Sequence, residues 1–422
     1  MRVKDYAKIG VRVCTDRLEN GLSVFIVPTP GYNKTFAFFA ADYGGADRRF
    51  KSGSEWHDTP AGIAHFLEHK MFDIENEENA LTQLSAGGAS PNAFTSSDIT
   101  AYHFESTESF WENLDILLKF VSVPYFTEES VVKEQGIIGQ EIKMTEDDPE
   151  FSMYYGLLSL LYKTNPIRES VAGTVDSIAE ITAKTLYDCH RVFYHPSNMV
   201  LVVAGDVDAQ RVTDAAERIL PRTYGVKPER DYGNEKSLKP FKSSGERAME
   251  VGLPMFLAGA RVRTAAGMEL QKQELTASLA LGVLMGRSSR LYTELYSKGL
   301  INTGFSMQYD HAAGVSHCIF GGESSDPGAV FQAVKAEIER TISGGCDREL
   351  VERLKRARTG DVLRGLNSFD TICYNVAKGY FRGYNPFEAL SVLDVISDEN
   401  VNSFIEENLK PENLAINTIT KK

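Results

Sequence analysis

Runs of apolar residues along the chain predict an alternation of strands and helices. Short runs rich in β-branched and aromatic residues are typical of strands, and longer stretches with apolar positions three and four residues apart are typical of helices. The predicted strands are residues 22–28, 35–41, 92–104, 199–205, 249–256 and 315–320. The predicted helices are residues 61–72, 108–121, 128–145, 271–285, 328–343 and 347–366. Thr59 and Pro60 are typical of a helix start before the first of these helices.

A change in composition divides the chain. Residues 224–246 read YGVKPERDYGNEKSLKPFKSSGE, with many charged, Gly, Ser and Pro residues and few apolar ones. This composition is typical of a linker or of a long surface loop. We therefore predict a first half over residues 1–225, a linker over 226–246 and a second half over 247–422. The two halves have a similar order of strands and helices, which suggests an internal duplication.

Composition and charge exclude several classes of protein. The 422 residues are 42% hydrophobic and 24% charged, which excludes wholesale disorder and fibrous repeats. The net charge of −13 disfavours nucleic acid as a partner, because phosphate backbones attract Lys and Arg. The five cysteines are scattered and fit neither a zinc knuckle nor a disulfide framework. The N-terminus lacks the apolar run of a signal peptide, and no stretch approaches the ~20 apolar residues of a membrane span. We expect a soluble cytoplasmic protein.

One five-residue segment carries the strongest chemical signal. His65 and His69 lie four positions apart in a predicted helix, so both imidazoles lie on one face and can bind a single metal ion. Glu68 lies beside them and can take a proton from a metal-bound water. His-x-x-Glu-His is the inverted order of the common zinc-protease motif. The alternative is a pair of surface histidines that have helical spacing by coincidence.

Catalytic zinc usually has three protein ligands, and the predicted helix over 128–145 offers a third. Glu134 and Glu141 share one face of this helix with apolar residues. A buried carboxylate needs a cation or hydrogen bonds. Glu141 as a metal ligand and Glu134 as a partner of a ligating imidazole would meet that need. The alternative is that both acids pair with Lys or Arg on a neighbouring surface.

These segments resemble the pitrilysin/insulysin family of inverted zinc metallopeptidases, which includes the mitochondrial processing peptidases. The family has His-x-x-Glu-His, then a Glu after some seventy residues and another Glu seven residues before that one; Glu141 lies 72 positions after His69, and Glu134 fits the offset. The phrase around the motif looks especially like the bacterial YmfH-like zinc proteases, which have about this length. Further segments that resemble the family are SPNAFT at 90–95, PIRESVAGTVDSI at 166–178 and YHPSNMVLVVAGD at 194–206.

The resemblance implies a role for each matching residue. His65, His69 and Glu141 would bind Zn²⁺, and Glu68 would be the general base. Glu134 would orient a ligating imidazole. The strand with Asn92, Ala93 and Phe94 would bind an extended peptide as an added strand. The implied fold is α+β, with two homologous halves, each a mixed sheet with helices packed on it, that close around a chamber like a clamshell.

The second half departs from the family pattern. Active members usually carry an Arg and a Tyr there, which bind the scissile carbonyl and stabilise the oxyanion. In this chain Tyr296 stands near the expected Arg and Asn302 at the expected Tyr, on an alignment that needs a one-residue gap. A related partner chain in a homo- or heterodimer would supply the missing groups, or Arg287, Arg290 or Tyr296 would replace them, or the chain hydrolyses slowly and mainly binds peptides.

We therefore expect a zinc-dependent endopeptidase that hydrolyses extended peptides inside the chamber. The first alternative is a catalytically weak or inactive subunit of the same fold, for peptide binding or assembly, that needs a partner chain. The second alternative is a metalloenzyme that acts on a small molecule.

Overall fold

A computed structural model describes residues 1–75 and 79–422. Its contacts form two compact units. Unit 1 consists of Met1–Ile142, Ser170–Asp231 and Leu363–Phe387, and unit 2 consists of Lys143–Glu169, Tyr232–Val362 and Glu388–Lys422. The units follow contacts in space, whereas the predicted division at 226–246 follows composition along the chain. That division stays a prediction.

The strands are short and mostly paired with antiparallel neighbours. In chain order they are β1 (Arg2–Tyr6), β2 (Val11–Arg17), β3 (Ser23–Pro28), β4 (Thr35–Ala41), β5 (Arg49–Ser52), β6 (Glu55–Asp58), β7 (Ala89–Thr95), β8 (Thr100–Ser106), β9 (Met199–Gly205), β10 (Glu229–Arg230), β11 (Ser244–Met249), β12 (Met255–Val262), β13 (Ser306–Ala312), β14 (Val315–Glu323) and β15 (Leu414–Lys421).

The helices range from one turn to five. In chain order they are α1 (Ile63–Met71), α2 (Ala80–Ala86), α3 (Phe110–Ser122), α4 (Glu128–Glu146), α5 (Pro149–Leu161), α6 (Val175–Ala179), α7 (Ala183–Phe193), α8 (Ala209–Ile219), α9 (Gly267–Met285), α10 (Arg290–Ser297), α11 (Pro327–Gly344), α12 (Arg348–Gly365), α13 (Phe369–Arg382), α14 (Ala389–Asp394) and α15 (Asp398–Asn408).

Unit 1 is built on a seven-stranded mixed sheet in the order β1-β2-β3-β9-β4-β8-β7. Its central strands β4 and β9 are buried along their whole length, which explains their continuous apolar sequences. One face packs against a core that includes α1, α3 and α7. The other face packs against α13. A small sheet, β10-β5-β6, belongs to the same unit.

Unit 2 is built on a five-stranded mixed sheet in the order β11-β15-β12-β14-β13. One face packs against α9, α11 and α15. The other face packs against α5, which covers β12 and β15. Each unit is therefore a mixed sheet with helices packed on it, and the predicted α+β class is confirmed.

The two sheets repeat one topology. In unit 1 the order β3-β9-β4-β8-β7 has one parallel pair, β3 with β9, followed by antiparallel pairs. In unit 2 the order β11-β15-β12-β14-β13 has the parallel pair β11 with β15, followed by antiparallel pairs. In both, the last strand in sequence is inserted between the first and the second. This repeated crossover supports the internal duplication that the element order suggests.

Three sequence-based predictions of elements are wrong in detail. The predicted strand 92–104 is a hairpin of β7 and β8, because the segment 96–99 makes a turn in which Ser96 bonds to Ile99. The predicted strand 249–256 is the end of β11 and the start of β12. The first helix begins at Ile63, after Gly62, and does not begin at Thr59 and Pro60.

Among the helices of residues 1–75 and 79–422, none is both long enough and apolar enough to cross a membrane.

Candidate metal centre

Helix α1 places His65, Glu68 and His69 together in unit 1. Its apolar residues, including Phe66 and Leu67, are fully buried, so the helix cannot turn its histidines away to solvent. The imidazole rings of His65 and His69 lie 4.6 Å apart between their centroids. Both histidines are partly buried, which argues against a pair of solvated surface histidines.

Gly62 fixes where α1 begins. Its φ of 91° lies in the left-handed region that disfavours residues with a side chain. A Cβ added there would lie 2.5 Å from the carbonyl oxygen of Ala172. The close approach of the segment around Ala172 therefore requires glycine, and it sets the direction in which α1 leaves the loop.

Helix α4 brings Glu134 and Glu141 to the same place. Val131, Ile138 and Ile142 are buried on one face of α4 and anchor it to the core of unit 1. Glu134 and Glu141 lie beside this apolar stripe, with side chains 15% and 42% exposed. The predicted common face of α4 is therefore present, and no Lys or Arg of residues 1–75 and 79–422 forms an ion pair with either carboxylate.

Three donor groups converge between the two helices. Nε2 of His65 lies 3.5 Å from Oε1 of Glu141, and Nε2 of His69 lies 3.7 Å from Oε2 of Glu141. One ligand atom from each of the three residues can be chosen so that all lie within 4.8 Å of one another. Two imidazoles and one carboxylate are a donor set that zinc accepts.

The spacing of these donors fits zinc. A tetrahedral ion with ligand bonds of about 2.1 Å holds its donor atoms about 3.4 Å apart. The two measured imidazole-to-carboxylate distances are close to that value. Three protein donors leave a fourth position for water or substrate, which is the arrangement of catalytic sites.

The imidazole of His69 has a fixed orientation. Its Nδ1 lies 3.0 Å from Oε1 of Glu134, so that Nδ1–H donates to the carboxylate and Nε2 keeps its lone pair for a metal. Burial lowers the pKa of His69, but the hydrogen bond to Glu134 and the nearby carboxylates outweigh burial and raise it overall.

The imidazole of His65 has different surroundings from that of His69. Its Nδ1 is buried and has no hydrogen-bond partner within residues 1–75 and 79–422. Burial, with the neighbouring His69, lowers the pKa of His65 to about 4. His65 is therefore neutral at neutral pH, which is the form that binds metals.

Glu68 lies on the side of α1 next to β7 and is 8% exposed. Its Oε2 accepts a hydrogen bond of 2.6 Å from Oγ1 of Thr95. Burial raises the pKa of Glu68, and the hydrogen bond from Thr95 offsets part of that rise. Sequence reasoning missed Thr95, although this residue ends the segment SPNAFT that carries the resemblance.

Asn92, Ala93 and Phe94 lie on β7, which pairs with β8 and is the last strand in the order of the seven-stranded sheet. Ala93 packs against the core that contains α1, and Phe94 packs on the opposite face near Tyr374. The Asn92 side chain is exposed and its Oδ1 accepts a hydrogen bond from the amide of Ala93. An edge strand has backbone groups with which an extended peptide can pair. The substrate-binding role of Asn92, Ala93 and Phe94 stays a prediction.

Comparison with known proteins identifies the family. Residues 50–175 match the family model described as Insulinase (Peptidase family M16), and residues 180–358 match the model described as Peptidase M16 inactive domain. A Bacillus subtilis (strain 168) protein described as the uncharacterized zinc protease YmfH is 36% identical over 424 residues, which cover 99% of each chain. The chain belongs to peptidase family M16. The predicted membership of the insulysin family is thus confirmed.

One further relative and two solved structures are also similar to this chain. The zinc protease PqqE of Helicobacter pylori is 25% identical over 83% of this chain and 79% of its own. The crystal structure of an M16-like peptidase from Alicyclobacillus acidocaldarius matches with a TM-score of 0.93 and 33% identity, over 98% of this chain and 99% of that one. A Helicobacter pylori protease matches with a TM-score of 0.81 at 19% identity, which shows the fold alone.

Tyr296 and Asn302, where the sequence departs from the family pattern described above, lie on α10 and after it, in unit 2. The Tyr296 side chain is 51% exposed and stacks on Tyr292. Asn302 donates a 2.7 Å hydrogen bond to Glu323. Both residues thus have local contacts within unit 2.

Two of the three candidate replacements, Arg287 and Arg290, are cations at or just before the start of α10. Arg290 is 72% exposed and lies 3.8 Å from Glu337, and Arg287 donates to the carbonyl oxygen of Thr303. Whether Arg287, Arg290 or Tyr296 replaces the missing groups stays a prediction.

Proposed function

We propose that this M16 chain is a zinc-dependent endopeptidase that hydrolyses peptides held in an extended conformation. One observation carries the proposal: the donors of His65, His69 and Glu141 converge, and Glu68 lies immediately before His69 on the same helix, α1. The names of its relatives, which are described as zinc proteases, point in the same direction.

His65, His69 and Glu141 would bind the zinc ion, and Glu134 would keep Nε2 of His69 directed at it. Bound zinc lowers the pKa of a water molecule and polarises the scissile carbonyl. Glu68 then takes the proton of the attacking water and later delivers it to the leaving amine. Its raised pKa suits this exchange, because a base that must also act as an acid works best when its pKa is close to neutral pH.

The substrate would lie along β7. An extended peptide that adds to this edge gains backbone hydrogen bonds that do not depend on its sequence. Asn92, Ala93 and Phe94 would contact it, and β7 also carries Thr95, the hydrogen-bond partner of Glu68. Binding at this edge would therefore bring the peptide backbone beside the general base.

A specific observation favours a second candidate function. On an alignment that needs a one-residue gap, Tyr296 stands near the Arg and Asn302 stands at the Tyr that active members usually carry. An oxyanion donor is worth about 3–4 kcal/mol in other hydrolases. Without such donors the chain would be a catalytically weak peptide-binding or assembly subunit. A homo- or heterodimer with a related chain that supplies the Arg and Tyr would restore activity.

The deciding experiment is hydrolysis of a mixed peptide library by the purified chain, with and without a chelator. Glu68→Gln is the control, because it removes the base and leaves the three donors in place. We expect cleavage that the chelator and Glu68→Gln both abolish, with zinc still bound to the variant. A folded, zinc-loaded chain that cleaves nothing would contradict an endopeptidase that acts alone and would favour the second candidate.

A separate experiment tests whether Arg287 or Arg290 stabilises the oxyanion in place of the Arg and Tyr of active family members. Arg287→Gln and Arg290→Gln each remove one exposed cation near α10 and leave an uncharged polar side chain in its place. If either group stabilises the oxyanion, its variant should lose turnover and keep its melting temperature. Full activity in both variants would rule out both arginines.

A further inference from the structure

The alternation of β7 directs Thr95 toward α1. Successive side chains of a strand point to opposite faces of the sheet. Phe94 packs on the face covered by α13, with its ring 5.9 Å from that of Tyr374. Thr95 and Ala93 therefore share the opposite face, where Ala93 packs against the core that includes α1. The hydroxyl of Thr95 thus reaches the carboxylate of Glu68.

The hydroxyl proton of Thr95 is available for Glu68. The hydroxyl of Thr100 also lies close to that of Thr95, because the two residues pair across the hairpin. Oγ1 of Thr100 lies 2.9 Å from the carbonyl oxygen of Tyr43 and 3.4 Å from Oγ1 of Thr95. Thr100 therefore donates its single proton to Tyr43. Thr95 donates to Oε2 of Glu68 at 2.6 Å, the short distance that an ionised acceptor favours.

The hydrogen bond from Thr95 restricts the orientation of the Glu68 carboxylate. Within residues 1–75 and 79–422, Thr95 is the one hydrogen-bond partner of Glu68. A Glu side chain rotates about three bonds and loses considerable entropy when it is fixed. One strong hydrogen bond from a strand that is itself held in a sheet removes much of this freedom.

We propose that Thr95 is a positioning residue for the general base: it holds Oε2 of Glu68 and leaves Oε1 to receive the proton of the attacking water. The inference rests on the proposed function, because it assigns Thr95 a role in the reaction attributed to Glu68. It also links the predicted substrate strand to the base, since Thr95 lies on β7 together with Asn92, Ala93 and Phe94.

Two substitutions separate the hydroxyl from the shape of the side chain. Thr95→Val has nearly the same shape and lacks the hydroxyl, whereas Thr95→Ser keeps the hydroxyl. For Thr95→Val we expect kcat to fall between about ten-fold and about a hundred-fold, as for the loss of one hydrogen bond to a charged group, with KM and zinc content unchanged. Thr95→Ser should recover most of the lost kcat.

Thr35→Val is the matched control. It removes a buried hydroxyl from β4 of the same sheet, where Thr35 bonds to Ser106 and not to Glu68. Its kcat should equal that of the unmodified chain even if its melting temperature falls. Equal kcat for Thr95→Val and the unmodified chain, or a failure of Thr95→Ser to recover kcat, overturns the assignment.

A second measurement does not depend on activity. In the chelator-treated chain, the melting temperatures of Glu68→Ala, Thr95→Val and the double variant form a double-mutant cycle. We expect non-additive shifts, because each single variant already loses the shared hydrogen bond. Additive shifts would overturn the contact itself. An unmodified chain that cleaves no peptide overturns the proposed function, whereas an active chain with a fully active Thr95→Val overturns the role of Thr95 alone.

Discussion

Nδ1 of His69 donates to Oε1 of Glu134 over 3.0 Å, so this imidazole presents Nε2 in a fixed direction. Partners of this kind typically contribute ten-fold to a hundred-fold to metal affinity, since they set the tautomer and the basicity of the ligand. We expect Glu134→Ala to weaken zinc binding by about ten-fold to a hundred-fold while the chain stays folded. Competition with a chromophoric chelator measures the affinity.

Glu128→Ala is the control for the Glu134 variant. Glu128 is an exposed carboxylate in the first turn of the same helix, α4. This control has the same loss of charge but no contact with a ligand, so its zinc affinity should match that of the unmodified chain. Equal affinities for both variants would show that Glu134 does not orient His69.

The proposed role of Glu141 gives a further prediction, because this residue would contribute a donor to the ion itself. Glu141→Gln keeps the size of the side chain but replaces the carboxylate by a neutral amide. We expect zinc content after dialysis to fall well below one ion per chain, whereas Glu68→Gln, also on the metal-facing side, should retain the ion. Retention of zinc by Glu141→Gln would remove Glu141 from the ligand set.

The sequence predicted elements best where a single residue pattern dominates. The fully buried strands β4 and β9 and the helix α4 lie within one residue of their predicted bounds. The pairs His65 with His69 and Glu134 with Glu141 share helix faces that follow from spacing alone, and the structure brings all four together.

What the sequence did not reveal depends on contacts between distant segments. Gly62 starts α1 because the segment around Ala172 lies against it, and no local pattern shows that approach. Thr95 reaches Glu68 only because a turn at 96–99 splits the predicted strand 92–104 and sets the register of β7. The packing of α13 joins it to β9, about 170 positions away, and to β4, about 340 positions away, and leaves no local signal.

Gly62 has a left-handed backbone conformation and directly precedes α1, which carries His65 and His69. We predict that a side chain at position 62 disturbs the candidate metal centre. An alanine with positive φ costs about 1–2 kcal/mol. Gly62→Ala also brings its Cβ against the carbonyl oxygen of Ala172, so α1 must shift. For Gly62→Ala we expect the melting temperature to fall by more than the backbone strain alone would cause, and we expect zinc binding to weaken.

Gly10→Ala is the matched control for Gly62→Ala. Gly10 has a φ of 68° and open space where its Cβ would lie, so it tests the backbone strain without a collision. Its melting temperature should fall slightly and its zinc affinity should not change. Equal effects of the two substitutions would show that the contact with Ala172 is unimportant.

We predict that the buried residue His190 makes the folded chain less stable in acid. Its Nε2 lies 3.0 Å from the carbonyl oxygen of Val121, and burial lowers its pKa from 6.5 to about 4. Between these values the unfolded chain binds a proton that the folded chain does not. Stability therefore rises with pH through this window and is lost as the pH falls from about 6.5 to about 4, by about 3 kcal/mol for this residue.

The test compares the melting temperature of the chelator-treated chain with that of His190→Gln from pH 7 to pH 4.5. Gln can still donate to the carbonyl oxygen of Val121 but does not titrate. The melting temperature of the variant should fall less steeply as the pH is lowered. Parallel curves would mean that His190 does not contribute to the acid sensitivity.

The unit that carries the candidate metal centre extends beyond the predicted first half of the chain. Helix α13 belongs to the second half by sequence, yet Ile372, Cys373 and Val376 pack in one cluster with Phe38 and Val202 of the seven-stranded sheet. A fragment of residues 1–246 lacks this cover, so an apolar face of β4 and β9 would be exposed to water.

We expect the 1–246 fragment to bind a hydrophobic dye and to melt with lower cooperativity than the full chain. A synthetic peptide of residues 363–387, added in trans, should reduce the dye signal, because it restores α13 to the sheet. The same peptide with Val376→Asp is the control, since a charge at that buried position cannot pack against the sheet. If the fragment alone binds zinc and melts as cooperatively as the full chain, the linear division at 226–246 describes the folding units better than the packing of α13 does.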